Sequence, residues 1–294
     1  MINTLRHNPT FIFIFAETFR TVTMNNRVLT IAGSDCSGGA GIQADIKTIS
    51  ALGGYAASAI TAVTVQNTCG VYGIHAIPPE TVRGQIEAVM TDIEPDAVKI
   101  GMTNDAETVI AIAETLRKFK PKFIVFDPVM VSTSGCRLME EEAILAVTEQ
   151  LMPISTIITP NLKEAETLLG VTIKTVDEMI EGAKELLRYG SQAVLVKGGH
   201  LSGNEMTDVL MIRGEAQPKL YTSIKIDSKN THGTGCTLSS AIATLLSQGK
   251  SLDEAVKGAK DYVHRGIESA TYINIGKGHG PLNHFFSRNL RVES

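Results

Sequence analysis

Asn230 to Ala243 reads NTHGTGCTLSSAIA, a glycine turn that opens directly into a helical run. Gly233 and Gly235 let the backbone turn tightly, and Thr234 is able to cap. A helix start of this kind offers unpaired N–H groups and a partial positive charge, which suit an anion such as phosphate. The turn also carries a thiol, Cys236, and a helix start can lower the pKa of a thiol placed there. Ordinary capped helices begin in much the same way. The phosphate reading therefore depends on what accompanies it.

A second glycine turn, GSDCSGGAGIQAD (Gly33–Asp45), follows an apolar run. Gly33 and Gly38 have P-loop spacing, but Gly39 and Ala40 stand where Lys and Ser/Thr belong, and the GxGxxG order is missing. Its N–H groups suit a small ligand. Asp45, one helical turn beyond Gly41, is expected to face the same cleft, unless it is a solvated helix residue. Asp127 ends FIVFD, and Glu164 lies three residues after Asn161 in TPNLKEAE. Phosphoryl transfer uses magnesium held through one or two carboxylates, waters and the phosphates, so Asp127 and Glu164 are candidates for that ion. Taken alone, Glu164 reads as an exposed glutamate in a first helical turn. Lys197, at the end of AVLVK, is placed to neutralise phosphate charge. His279 and His284 have no acidic or cysteine companions and read as structural.

These residues gain their meaning from the elements that present them. RVLTIAGSD, ASAITAVTVQNT, DAVKIGM, KFIVFDPVM, STIITPN and QAVLVKGGH read as strands. GIQADIKTISALGG, PPETVRGQIEAVMTDI, DAETVIAIAETLRKF, EEEAILAVTEQLM and TVDEMIEGAKELLRYG read as helices. DVLMIRG and KLYTSIKI form a hairpin or paired edge strands, and two helices follow from about Thr234 and Leu252. Apolar strands alternating with helices predict an α/β fold, a parallel sheet covered on both faces. In such sheets ligands bind beyond the carboxyl ends of the strands, where these candidates fall.

The chain has 294 residues, 43% hydrophobic and 20% charged, a globular balance with no linker or repeat, so a single domain is expected. The net charge of −4 argues against a general nucleic-acid binder. Phe11–Phe19 is too short an apolar stretch for a signal peptide or a membrane span. Residues 1–26 read as a dispensable extension, with Met24 as the start of the folded protein. Cys36, Cys69, Cys136 and Cys236 form no CxxC pair, so neither zinc nor disulfides are expected and a cytoplasmic location is the simplest.

Together TIAGSD.SGGAGIQADIKT, VTVQNT.GV, KIGM, DPVM, TPNLKEAE, VLVKGGH, NTHGTGCT and GKGHGP resemble the ribokinase-like superfamily. Within it they are similar to the hydroxymethylpyrimidine/phosphomethylpyrimidine kinases of thiamine biosynthesis. The likeness runs from about Val28 to about Phe285. It implies a three-layer α/β/α sandwich with a mostly parallel central sheet, a kinase domain over 27–286 and a tail over 287–294. It implies ATP as co-substrate, Mg2+, an aminopyrimidine alcohol and its monophosphate as acceptors, and a possible homodimer, without nucleic-acid or membrane partners. By the same resemblance Gln66 hydrogen-bonds the aminopyrimidine, with Gly33 and Asp45 beside it. Gly233, Thr234 and Gly235 form an anion hole. Asp127, Asn161 and Glu164 organise magnesium and ATP phosphates, with Lys197 close by. Cys236 takes the place of the catalytic base, which is aspartate in most ribokinase-like enzymes. Cys36, where the family more often has proline, is expected to alter turn rigidity only.

A thiol suits two acceptors. The alcohol benefits from a base, whereas the monophosphate is an anion that a fixed carboxylate would repel, by roughly 4 kcal/mol per charge pair at ~4 Å and a dielectric of ~20. A cysteine can stay neutral for the second. The alternative reading within the superfamily is a pyridoxal kinase; Gln66 and the complete GSD.SGGAGIQAD segment favour the pyrimidine.

Overall fold

Apolar runs covered on both faces form the middle of the sheet, as in β1 (Arg27–Asp35), β4 (Ala97–Ile100), β5 (Phe123–Phe126) and β7 (Ala193–Val196). The computed structural model describes residues 26–131, 135, 138–199 and 204–287. The expected N-terminal extension up to residue 25 and the tail beyond Ser287 lie outside the described residues. With β2 (Tyr55–Asn67), β3 (Gly70–Ala76), β6 (Ile157–Ile158), β8 (Glu205–Ile212) and β9 (Lys219–Ile224), these strands form one nine-stranded sheet, ordered β3-β2-β1-β4-β5-β6-β7-β8-β9. Its six central strands are parallel, while β3, β8 and β9 run antiparallel to their neighbours.

Strand alternation sorts side chains between two helical layers. Leu29, Ile31, Val98, Ile100, Val194 and Val196 share a core with α2 (Pro79–Asp92), α3 (Ala106–Phe119), α4 (Glu141–Ala146), α5 (Leu162–Leu169) and α6 (Val176–Leu187). Val28, Ala97, Ala193 and Leu195 pack against α1 (Gly41–Ala51), α7 (Thr234–Ser247) and α8 (Leu252–Ala270). Lys99 alternates with Val98 and Ile100, so it projects into the α1/α7 layer. From β1 the chain enters β2 and β3, then crosses through α2 to β4 on the other side of β1. The reversal leaves a crevice beyond the carboxyl ends of β1 and β4.

β3 is absent from the sequence expectation. GVYGIHA has two glycines and mostly exposed side chains, so no buried apolar face marks it. It is held by antiparallel pairing with β2, from Ala62↔Ala76 to Asn67↔Gly70.

The segment after α8 returns to α7. His284 is 4% exposed, and its Nε2 lies 3.1 Å from Thr237 Oγ1. Burial, then the nearby Lys47, pushes its pKa down to about 4. The unfolded chain takes up this proton near pH 6.5 and the folded chain only near 4. The stabilisation is therefore complete above about 6.5 and is lost as pH falls towards 4, by roughly 3 kcal/mol. Melting temperatures between pH 7 and 4.5 should fall less steeply for His284→Gln than for the wild type; parallel curves would contradict this assignment.

Candidate active site

The start of α7 is built by glycine. Gly233, its N-cap, has φ of 78°, and no side chain caps the helix. A Cβ at Gly233 would stand 1.9 Å from Gly39 O. The turn after β1 and the turn before α7 are thus in backbone contact, which any side chain there would break. Thr234, Gly235 and Cys236 keep partial exposure, while the rest of the helix through Thr244 is buried. An uncapped, positively polarised helix start beside the crevice is chemically an anion site.

Asp127 follows β5 and Lys197 follows β7, so neighbouring parts of the sheet aim both at this turn. Lys197 Nζ donates to Asp127 Oδ1 at 2.8 Å and lies 4.0 Å from Glu164 Oε2. Thr159 donates to Asp127 Oδ1 at 3.1 Å, and Ser239 of α7 to Oδ2 at 3.4 Å. Gly235 sits directly over the pair, since a Cβ there would be 3.4 Å from Asp127 Oδ2 and 3.5 Å from Lys197 Nζ. Burial works against the charge on Lys197, but Asp127 and Glu164 outweigh it and raise its pKa.

Asn161 and Glu164 meet each other first. Asn161 Oδ1 accepts from Glu164 N at 3.0 Å, and Glu164 Oε2 accepts from Asn161 N at 2.7 Å, a complete capping box on α5. Glu164 is 5% exposed, which corrects the solvated first-turn reading. Burial, and Asp127 against the opposing pull of Lys197, push its pKa up to about 7. Two buried carboxylates thus share one ammonium group, an unbalanced set that accommodates a further cation. Among the described residues no cluster of three or more His, Cys, Asp or Glu is arranged to hold a metal alone.

Asp45 does not line the cleft. It is fully buried, and four hydrogen bonds saturate its oxygens: Lys99 Nζ at 3.0 and 2.8 Å, Thr30 Oγ1 at 2.6 Å and Ser240 Oγ at 2.6 Å. Asp45 lies on α1 one turn past Gly41, but its carboxylate points inward to Lys99, beneath the turn. Burial opposes the charge on Lys99, yet the carboxylates of Asp45 and Asp127 more than offset this and raise its pKa. Lys99 and its partners were missed, although a lysine inside the apolar run AVKI is a readable signal of a buried partner.

Cys236 is half-buried. Burial pushes its pKa up to about 11; Lys99 lowers it, while Asp45 and Asp127 raise it. The expectation that the helix start lowers this pKa is corrected, because desolvation and two nearby carboxylates prevail. The thiol is neutral at neutral pH.

Gly33, near the end of β1, is packed so closely that a Cβ would lie 3.0 Å from Met102 Sδ. The side-chain amide of Gln66, half-buried on β2, lies 3.1 Å from Thr64 Oγ1 at one end and 3.3 Å from His232 Nε2 at the other. His232 Nε2 is also 2.8 Å from Asp35 Oδ2. Cys36 ties its turn to β2: its thiol donates to Gln66 O at 3.0 Å, and Gln66 N donates back at 3.4 Å. The site thus joins Gly33 and Gln66 to Gly233–Cys236, and these to Asp127, Lys197, Glu164 and Asn161, with Asp45 set below.

A glycine-built anion site at the carboxyl ends of a doubly covered, largely parallel sheet, with an acid–lysine pair under it, defines a small-molecule kinase of the ribokinase-like class. Residues 35–283 match the family model described as phosphomethylpyrimidine kinase. A hydroxymethylpyrimidine/phosphomethylpyrimidine kinase of Rhizobium meliloti is 50% identical over 87% of this chain and 96% of its own length. A thiamine biosynthesis bifunctional protein of Geobacter sulfurreducens is 48% identical, and the chain spans 52% of it. A crystal structure of phosphomethylpyrimidine kinase from Clostridium difficile superposes with a TM-score of 0.73 at 45% identity, covering 82% of this chain and 99% of that one. The pyridoxal kinase of Staphylococcus aureus with pyridoxal gives 0.82 at 31% identity, covering 90% and 95%. The chain belongs to the phosphomethylpyrimidine kinase family.

Proposed function

We propose that the protein transfers the terminal phosphoryl group of ATP to 4-amino-5-hydroxymethyl-2-methylpyrimidine, and then to the resulting monophosphate, in thiamine diphosphate biosynthesis. The observation that carries this reading is the uncapped start of α7, set over Asp127 and Lys197 with Cys236 in its first turn. The N–H groups of Gly233, Thr234 and Gly235 receive charge as it spreads over the transferring phosphoryl oxygens. Lys197 neutralises phosphate, and Asn161 fixes the start of α5 beside it. Asp127 and Glu164 would hold Mg2+, which when bound offsets the charge of the ATP phosphates. The raised pKa of Glu164 fits a site completed by a cation.

Gln66 presents a donor and an acceptor to the aminopyrimidine edge, with Gly33 beside it. At the alcohol step the hydroxyl proton passes to the Cys236 thiolate as the new O–P bond forms and ADP leaves. The thiolate fraction rises about tenfold per pH unit below about 11. The monophosphate needs no base, and a neutral thiol does not repel it.

The reading extends to a homodimer in the cytoplasm. Val63, Val65, Tyr72 and Ile74 of the β2–β3 hairpin are exposed and would suit a second copy, and among the described residues no helix is long and apolar enough to cross a membrane. A pyridoxal kinase reading draws on the higher TM-score of the Staphylococcus aureus enzyme. That score measures backbone likeness, at lower identity than the phosphomethylpyrimidine kinase structure. Phosphorus NMR of the enzyme with ATP, Mg2+ and the hydroxymethylpyrimidine tests the reading. The monophosphate should appear first and the diphosphate at its expense; ATP consumption without either product would refute it.

A further inference from the structure

We infer that His232 is a positioning residue, held by Asp35, that fixes which way round the Gln66 amide faces the pyrimidine. The inference rests on the reading of Gln66 as the group that contacts the ring.

Asp35 is an acceptor only. Its Oδ1 takes Ser37 N at 2.8 Å and Ser37 Oγ at 2.7 Å, and its Oδ2 takes Ala40 N at 2.8 Å and Gly39 N at 3.2 Å. Burial would raise its pKa, but the hydrogen bonds from His232, Ser37 and Ala40 outweigh it and hold the carboxyl well below the usual range. Nothing on Asp35 can donate, so the 2.8 Å contact with His232 requires a proton on Nε2. That same Nε2 is 3.3 Å from the outer end of the Gln66 amide. A donor faces it, so the amide must present oxygen there and turn its NH2 to Thr64 Oγ1, at 3.1 Å. Thr64 is free to accept, because its own hydroxyl proton goes to Ser34 O at 2.9 Å.

A single orientation satisfies the whole chain: Asp35 and Gln66 share the Nε2–H, Gln66 donates to Thr64, and Thr64 donates to Ser34. One amide N–H and one carbonyl lone pair of Gln66 then remain for a ligand. A ring edge with an acceptor and a donor in the matching order is accepted, and the reverse order is refused. His232 itself cannot drift. It is 7% exposed, its N donates to Gly280 O at 3.0 Å, and a Cβ on Gly39 would meet its ring at 2.3 Å. It also immediately precedes Gly233, which ties the pyrimidine-reading amide to the phosphate turn.

The test is a double-mutant cycle on the KM for the hydroxymethylpyrimidine, with the KM for ATP measured alongside. His232→Ala is expected to raise the pyrimidine KM about tenfold with the ATP KM unchanged. Once Gln66→Ala is present, His232→Ala should add no further rise. His232→Gln, which can place an amide N–H near the Nε2 position, should recover most of the loss. Nitrogen NMR should show the ring protonated at Nε2. Additive effects in the cycle, or equal rises in both KM values, would overturn the inference. A pyrimidine KM unchanged in Gln66→Ala alone would instead overturn the reading of Gln66 on which it rests.

Discussion

Cys236→Ala lowers kcat for phosphorylation of the hydroxymethylpyrimidine about a hundredfold or more, while kcat for the monophosphate changes by less than about tenfold. The asymmetry follows from the acceptors, since only the alcohol has a proton to lose. It also has a pH signature. A thiol pushed up to about 11 makes the alcohol step climb with pH through the range 7 to 10, whereas the monophosphate step lacks this rise. In Cys236→Ala the climb disappears. Cys236→Asp should keep alcohol turnover and lose monophosphate turnover selectively, because the fixed charge meets an anionic acceptor. Lys99 and Asp45 act on the same thiol with opposite sign, so Lys99→Met should move the alcohol profile to higher pH and Asp45→Asn to lower pH. Steady-state rates on both acceptors across pH measure all of this. Equal losses on the two acceptors in Cys236→Ala would contradict the assigned role.

Asp45→Ala has the largest expected effect on stability. Lys99 has no exposed surface, and its ammonium group is paired to both oxygens of Asp45. Removing the carboxylate leaves a buried, uncompensated charge and orphans Thr30 and Ser240, a cost of roughly 3–5 kcal/mol. The melting temperature should drop by on the order of 10 °C. Adding Lys99→Met should recover much of it, because replacing both charges by apolar volume is far less costly than breaking the pair. Calorimetry of the wild type, the single variant and the double variant decides this. A double variant no more stable than the single would contradict the account.

The layered α/β architecture was legible because it rests on patterns that repeat: apolar strands, amphipathic helices and glycine-marked ends. The candidate positions were legible for a related reason: Asp127 and Lys197 directly follow β5 and β7, Gly33 and Gln66 lie near the carboxyl ends of β1 and β2, and the sheet brings those ends together. What escaped notice depended on partners distant in sequence. β3 exists through its pairing with β2. Asp45 points inward because Lys99, 54 residues away, needs a counter-charge. His232 acquires a task only when Asp35, 197 residues earlier, is folded against it. The thiol of Cys236 was misjudged for the same reason: the helix start is local and visible, whereas burial and the Asp45 and Asp127 charges are tertiary.

The most direct measurement is a comparison of kcat/KM, with ATP and Mg2+, for the hydroxymethylpyrimidine, its monophosphate and pyridoxal under one set of conditions. The account predicts turnover of both pyrimidines, with the monophosphate converted to the diphosphate, and a clear preference over pyridoxal. Turnover of pyridoxal alone would contradict it.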